Sequence, residues 1–289
     1  MVKSFVSIGI VALLAVLICA SSASAQQGPA TGTGTQVAPP AAPPLTGPGA
    51  EAMKAAAAAH KYLFIFFYRT DDHQMRSLRE VFEGAMRKVA DRADSLVIRV
   101  DDPAEQSLVT HLKADRAPMP LAMAIAPNGA ITGGFPLKFE EKQLMSAFCS
   151  ESTERVLKAL QDKKLVLLCV QNNSSKYAAE ALRAAEGVKA DPKYGPLTEI
   201  VMMDPSDPKE ADSVKRLSLD AQGTEAVTIL MAPPGSIISR LVGATKTDAL
   251  LAEVQKAAAP KAACCPGGKC GPRPPAPATP PPNKPAGQN

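Results

Sequence analysis

Tryptophan is absent, histidine occurs three times, and four tyrosines and eight phenylalanines make up the remaining aromatics. The formal net charge is only +4 and the charges are interspersed, so there is no basic stripe interleaved with rings and no expectation of a nucleic-acid partner. His60, His73 and His111 never fall at H-x-x-x-H or H-E-x-x-H spacing, which disfavours a zinc hydrolase. G-x-S-x-G and the P-loop are missing too, removing the hydrolase and nucleotide-binding signatures they carry. Beyond the first 25 residues no stretch is long and apolar enough to span a bilayer.

The chain does have a leader. Lys3, the apolar run Ile8–Ala20 and Ala23-Ser24-Ala25 follow the order of a cleaved secretory signal, giving residues 1–25 as signal peptide and a product that is exported, periplasmic or extracellular. A lipoprotein reading at Cys19 is set aside because bulky Ile18 sits where a small residue is required. Residues 26–49, mainly Pro, Gly, Ala and Thr, read as a linker, and residues 260–289, with PRPPAPATPPP, as a disordered Cys-containing polyproline-type tail.

Between these arms the pattern is that of an α/β fold. Lys61–Tyr68 is a continuous aromatic and β-branched run, a strand buried on both faces. From Met75, apolar residues at Leu78, Phe82, Ala85 and Val89 step by threes and fours, so a helix follows. The same order repeats. Lys61–Tyr68 aligns with Lys164–Gln171, and the strand ending at Asp101 with the one ending at Asp204. Leu121–Phe135 parallels Val227–Gly243. Helical stretches open the copies at Glu51–His60 and Thr153–Asp162 and close them at Glu140–Phe148 and Thr247–Ala257. Asn128-Gly129 suits a hairpin, and Ala122, Ala124 and Ala126 leave room for a helix to pack close. The reading is one domain over residues 50–150 and a second over 151–259.

The element order, the strand–turn–helix at Phe66–Met86, the Pro118-Met119-Pro120 segment and the Ala126–Gly129 hairpin together resemble the thioredoxin-like fold. The resemblance implies two tandem domains, each a central mixed sheet flanked by helices. It implies a cis bond before Pro120, absent at Ala226 in the second copy. It also implies a peptide-binding groove beside Pro120, with Tyr68, Thr70, Asp72, Met119 and Pro120 as candidate contacts.

Redox-active relatives hold Cys-x-x-Cys at the turn after the first strand, where the helix N-terminus lowers a thiol pKa. Here that turn reads Asp71-Asp72-His73-Gln74, and in the second copy Ser174-Ser175-Lys176-Tyr177. Neither has a thiol. Asp71 with Gln74 has the spacing of a capping box, and Ser174 is a favoured N-cap. The sharper alternative makes Asp71, Asp72 and His73 a metal or acid–base patch. Asp101, Asp102, Asp204 and Asp207 read as turn formers beside proline.

Cys169 falls inside a central strand as a small buried hydrophobe, and Cys149 ends a helix. Cys264, Cys265 and Cys270 crowd a Gly-rich stretch. They are open to a local disulfide, an intermolecular crosslink giving a disulfide-linked oligomer, a soft-metal site of Cu(I) type, or thiol exchange with a partner. The function that follows is a non-enzymatic exported module that binds a protein or peptide and needs no cofactor. The alternative is a metal or thiol handler working through the tail cysteines.

Overall fold

The computed structural model describes residues 44–258. The residues read from the sequence as leader and, up to 43, as linker, and those from 259 onward with their three cysteines, lie outside the described residues.

The chain opens with α1 (Pro48–Ala58) and enters β1 (Tyr62–Tyr68), which is buried from Tyr62 to Phe67. α2 (His73–Lys88) returns the chain to β2 (Ala93–Arg99), which pairs parallel to β1 from Tyr62↔Ala93 to Tyr68↔Arg99. After α3 (Gln106–His111), β3 (Leu121–Ile125) pairs antiparallel with β1 and turns through Asn128-Gly129 into β4 (Ile131–Pro136). Gly129 has φ +81°, and Asn128 Oδ1 accepts the Ala130 N–H at 2.9 Å, so the turn chemistry matches those two residues. α4 (Glu141–Met145) closes this half.

The second half repeats it with α5 (Glu151–Gln161), β5 (Leu165–Val170), α6 (Ala178–Lys189), β6 (Thr198–Met203), α7 (Ala211–Arg216), β7 (Val227–Ala232), β8 (Ser236–Val242) and α8 (Thr247–Ala258). The two sheets have matching strand orders, β2-β1-β3-β4 and β6-β5-β7-β8.

Alternation along β1 divides the first core. Phe64 and Phe66 face α2 and α4 through Phe82, Ala85, Met86 and Leu144. The fully or nearly buried Ala122, Ala124 and Ala126 make room for those rings. Leu63, Ile65 and Phe67 face the opposite layer, Ala56 of α1 and Leu108 and Val109 of α3. In β5 the same alternation sends Leu165, Leu167 and Cys169 toward α6 and α8, and Val166, Leu168 and Val170 toward α5 and α7. Cys169 therefore occupies a core strand position within β5 and not the turn that precedes α6. Burial pushes its thiol up to about 11.

Several sequence expectations are corrected. Pro48 and Gly49, read as linker, form the first turn of α1, because Gly49 N–H is bound by both Glu105 carboxylate oxygens at 3.1 and 3.0 Å. The N-cap of α2 is Asp72, not Asp71. Asp72 has extended backbone angles and its Oδ1 accepts the Met75 N–H at 2.8 Å, while Asp71 pairs with Arg76 at 3.4 Å. Ser174 does not cap α6. Its hydroxyl donates to Asn172 Oδ1 at 2.8 Å, and the N-cap position falls to Tyr177 at φ +62° with no side-chain cap. The closing helix of the first half is shorter than Glu140–Phe148. A second cis X-Pro bond, Pro233–Pro234, stands in the β7–β8 hairpin besides Met119–Pro120.

Candidate functional site

In the first half, β1 ends at Tyr68 and the chain reaches the α2 N-terminus through four exposed residues, Arg69, Thr70, Asp71 and Asp72. Thr70 Oγ1 donates to Asp72 Oδ2 at 3.2 Å, and Arg69 Nη2 donates to the Asp115 carbonyl at 2.6 Å. The Met75 N–H holds the Asp72 carboxyl below the ordinary Asp range, with the Thr70 hydroxyl assisting. Asp72 is thus spent on the helix cap, and His73 begins the helix as an exposed residue. Gln74 is exposed one position further on.

Met119 and Pro120, joined by a cis bond, lead into β3 beside this turn. Pro118 is exposed, Met119 half-buried, and neither backbone group of Met119 has a hydrogen-bond partner among the described residues. The Pro120 carbonyl accepts the Leu137 N–H at 2.7 Å. Leu137 itself sits at φ +67° inside a three-residue turn closed by Lys138 N–H on the Pro136 carbonyl at 2.8 Å, and is 50% exposed. A bulky residue in that conformation is an outlier of the kind that surrounding contacts must enforce. Leu137 was not anticipated from sequence, where nothing local marks it.

The second half builds the corresponding region differently. Lys176 N–H donates to the Thr224 carbonyl at 2.7 Å, and Ala226 N–H to the Lys176 carbonyl at 3.0 Å, a parallel bridge between the turn and the segment before β7. Ser174 and Ser175 both donate to Asn172 Oδ1. The Thr224 carbonyl and the Ala226 N–H are therefore paired within the chain, whereas the matching Pro118 carbonyl has no partner among the described residues and Pro120 has no N–H. Tyr177 is pushed outward, 46% exposed.

Where the halves meet, Tyr62 OH donates to Glu154 Oε1 at 2.5 Å and accepts the Cys149 N–H at 3.2 Å, with the Cys149 Sγ 3.7 Å away. Burial raises the Glu154 carboxyl, and the Tyr62 hydroxyl bond partly offsets it. Burial also raises the Cys149 thiol and the Tyr62 hydroxyl. The Phe148 ring packs tilted against Tyr62, centroids 4.8 Å apart, under the Arg92 guanidinium. A cleft of about 1460 Å³ opens beside them, lined among others by Arg92, Thr132, Cys149, Glu210 and Arg216. Sequence reading missed Tyr62 and Glu154, since each looks like an ordinary strand or helix residue until the halves are brought together.

Among the described residues no three His, Cys, Asp or Glu side chains converge as a metal site, and no helix is long and apolar enough to cross a membrane. Cys264, Cys265 and Cys270 lie outside the described residues.

No protein-family model and no curated protein sequence matches the chain. Among solved structures it is similar to the germline-specific thioredoxin Deadhead of Drosophila melanogaster (21% identity, 35% of this chain and 90% of that one, TM-score 0.28). It is also similar to the first two thioredoxin domains of Saccharomyces cerevisiae Eps1p (11% identity, 75% and 99%, TM-score 0.28) and to zinc-bound human ERp44 (12% identity, 72% and 58%, TM-score 0.30). At those scores the overlaps carry no weight on function, and the fold rests on this chain's own strand order and helix layers. By strand order, helix placement and the X-Pro bond before β3, the chain is a tandem of two thioredoxin-like domains, with Asp71–Gln74 and Ser174–Tyr177 at the turns after their leading strands.

Proposed function

We propose that the protein is an exported, non-catalytic thioredoxin-like binding module whose first domain takes extended polypeptide beside Pro120. The observation that carries this is the contrast between the two domains. Among the described residues the Pro118 carbonyl and both Met119 backbone groups are unpartnered beside exposed Leu137, whereas in the second domain Lys176 occupies the carbonyl of Thr224, which matches Pro118, and the N–H of Ala226, which Pro120 lacks. Free N–H and C=O groups flanked by apolar side chains suit main-chain pairing with a partner strand, the side chains adding selectivity. Tyr68 ends β1 and Thr70 and Asp72 lead into α2, and the reading assigns them to the same groove. With no thiol at either turn, the site has no group to exchange with a substrate disulfide. The leader sequence supports export, to periplasm or medium.

The experiment uses the full chain with Cys264, Cys265 and Cys270 changed to Ser. Insulin-disulfide reduction is expected to stay at the uncatalysed rate. Reduced, carboxymethylated lactalbumin serves as an extended-chain probe, and Leu137→Asp is expected to weaken its binding at least about tenfold, the order of one lost anchor residue. Turnover of insulin, or binding indifferent to Leu137→Asp, would overturn the reading.

A further inference from the structure

The second domain has a recess of its own at the C-terminal end of β5. It is a pocket of about 320 Å³ whose apolar wall is Val170, Pro205, Leu219, Val227 and Val242. Val242 is 59% exposed, more than any other large apolar side chain among the described residues. The rim is acidic. Asp220 uses one carboxylate oxygen on the Gln222 N–H, and Glu225 makes neither an ion pair nor a side-chain hydrogen bond among the described residues. Lys176, tied to the neighbouring backbone, forms no ion pair with it either.

Gly243 shapes the mouth. At φ +78° it has no Cβ, and a Cβ there would meet Glu225 Oε2 at 3.2 Å and Tyr177 Cδ2 at 3.5 Å. The aromatic ring and the carboxylate therefore lie together over the backbone just past Val242. A ring, aliphatic walls and a free carboxylate are the surroundings that suit a polyproline segment with a cation beside it. Proline rings fill such grooves at small entropic cost, and the carboxylate meets the cation.

The chain carries such a segment. Beyond α8 the residues from 259 to 289 hold Lys261, Lys269, Arg273 and Lys284 with no Asp or Glu, and Pro272-Arg273-Pro274-Pro275-Ala276-Pro277 sets Arg273 among prolines. α8 begins five residues after Val242 and carries the chain roughly 18 Å away. The fourteen residues from Ala258 to Pro272 can reach at most about 46 Å when extended, ample to return.

We propose that this acid-rimmed pocket is the docking site for the chain's own Pro272–Pro277. Pro274 and Pro275 sit against Val242 and Leu219, and Arg273 faces Asp220 and Glu225. Docking holds Cys270 at the mouth of the second domain, so the thiol cluster is presented from a fixed place. The pocket is separate from the opening at Pro120, and its failure would leave the first-domain reading untouched.

Cys270, two residues before Pro272, supplies the test. Val242→Cys is introduced in the full chain, with Val81→Cys on the exposed face of α2 as the encounter control. Both are reduced, then placed in a glutathione redox buffer. Peptide mapping follows the disulfide between the introduced thiol and Cys270 of the same chain. Docking predicts at least about tenfold faster formation at 242 than at 81, the gain of a raised local concentration. Arg273→Glu, or Asp220→Asn with Glu225→Gln, should remove that preference. Equal rates at the two positions, a preference indifferent to those charges, or a product mainly between chains would overturn the proposal; the last would assign the pocket to a second copy.

Discussion

The residue with the most to report on its own surroundings is Glu154. It stands at the meeting of the two domains with its carboxylate on Tyr62 OH, Cys149 close by and Glu151 on the same helix, and its pKa is raised above the ordinary 4.5 by burial. A raised folded-state pKa means that the protonated form is favoured on folding. Its stabilising effect is complete below the unfolded value and is lost as pH rises through the folded one. Glu154→Gln keeps an oxygen for the tyrosine and removes the charge. The variant is expected to match the parent near pH 4 and to exceed it in thermal midpoint at pH 7 and above. A difference constant across pH 4–8 would refute the desolvation account. Asp72 behaves oppositely: its depressed pKa adds stability above 3.8 that fades as the pH falls.

At the scale of elements, the opening helix of each half is fastened by the same device. Asp102-Pro103-Ala104-Glu105 and Asp207-Pro208-Lys209-Glu210 each make a one-turn 3-10 helix, the Asp accepting an N–H two residues on. The Glu is buried and reaches back to the helix start. Glu105 accepts the Gly49 N–H, and Glu210 accepts the Ser150 hydroxyl at 2.7 Å. Glu105→Ala leaves a buried N–H without a partner and should cost about 1–3 kcal/mol, several degrees in Tm. Gly49→Ala should cost a similar amount, because its Cβ would press into the Glu105 carboxylate and fall 2.6 Å from Leu108. Thermal unfolding of both variants checks this, and an unchanged Tm in either removes the fastening role.

Asp102 and Asp207 were read as turn formers beside proline, and that reading hid the carboxylates of Glu105 and Glu210 three residues on. The strands were legible because burial dictates composition: β1 is apolar or aromatic throughout since both faces are covered, and the repeat of its pattern in β5 disclosed the tandem. The caps were misread by local ambiguity. Asp71 and Asp72 both suit an N-cap, and only the backbone angles choose between them. Leu137 and Lys176 were beyond reach. Each is fixed by a partner distant in sequence, the Pro120 carbonyl for one and the Thr224 and Ala226 backbone for the other.

For the whole molecule, the decisive element is α5, which serves both cores. Val156, Ala159 and Leu160 pack into the second domain, while Leu157 on the neighbouring face packs against the first. Gln161 at its end behaves like a strip of backbone, accepting the Ile131 N–H at 2.9 Å and donating to the Ile131 carbonyl at 2.7 Å, so the edge strand β4 is covered. With Tyr62 bonded to Glu154, three contacts tie the first domain to a helix whose other face belongs to the second. Domains that share a packed helix are expected to unfold together, since exposing one core strips a wall from the other. Leu157→Asp with Gln161→Ala removes the apolar and the edge contacts and leaves the second core's own residues in place. Calorimetry should then resolve two transitions where the parent gives one, the first domain melting earlier. A parent already showing two well-separated transitions, or a double variant still melting as one, would mean that the halves are joined by something other than this helix.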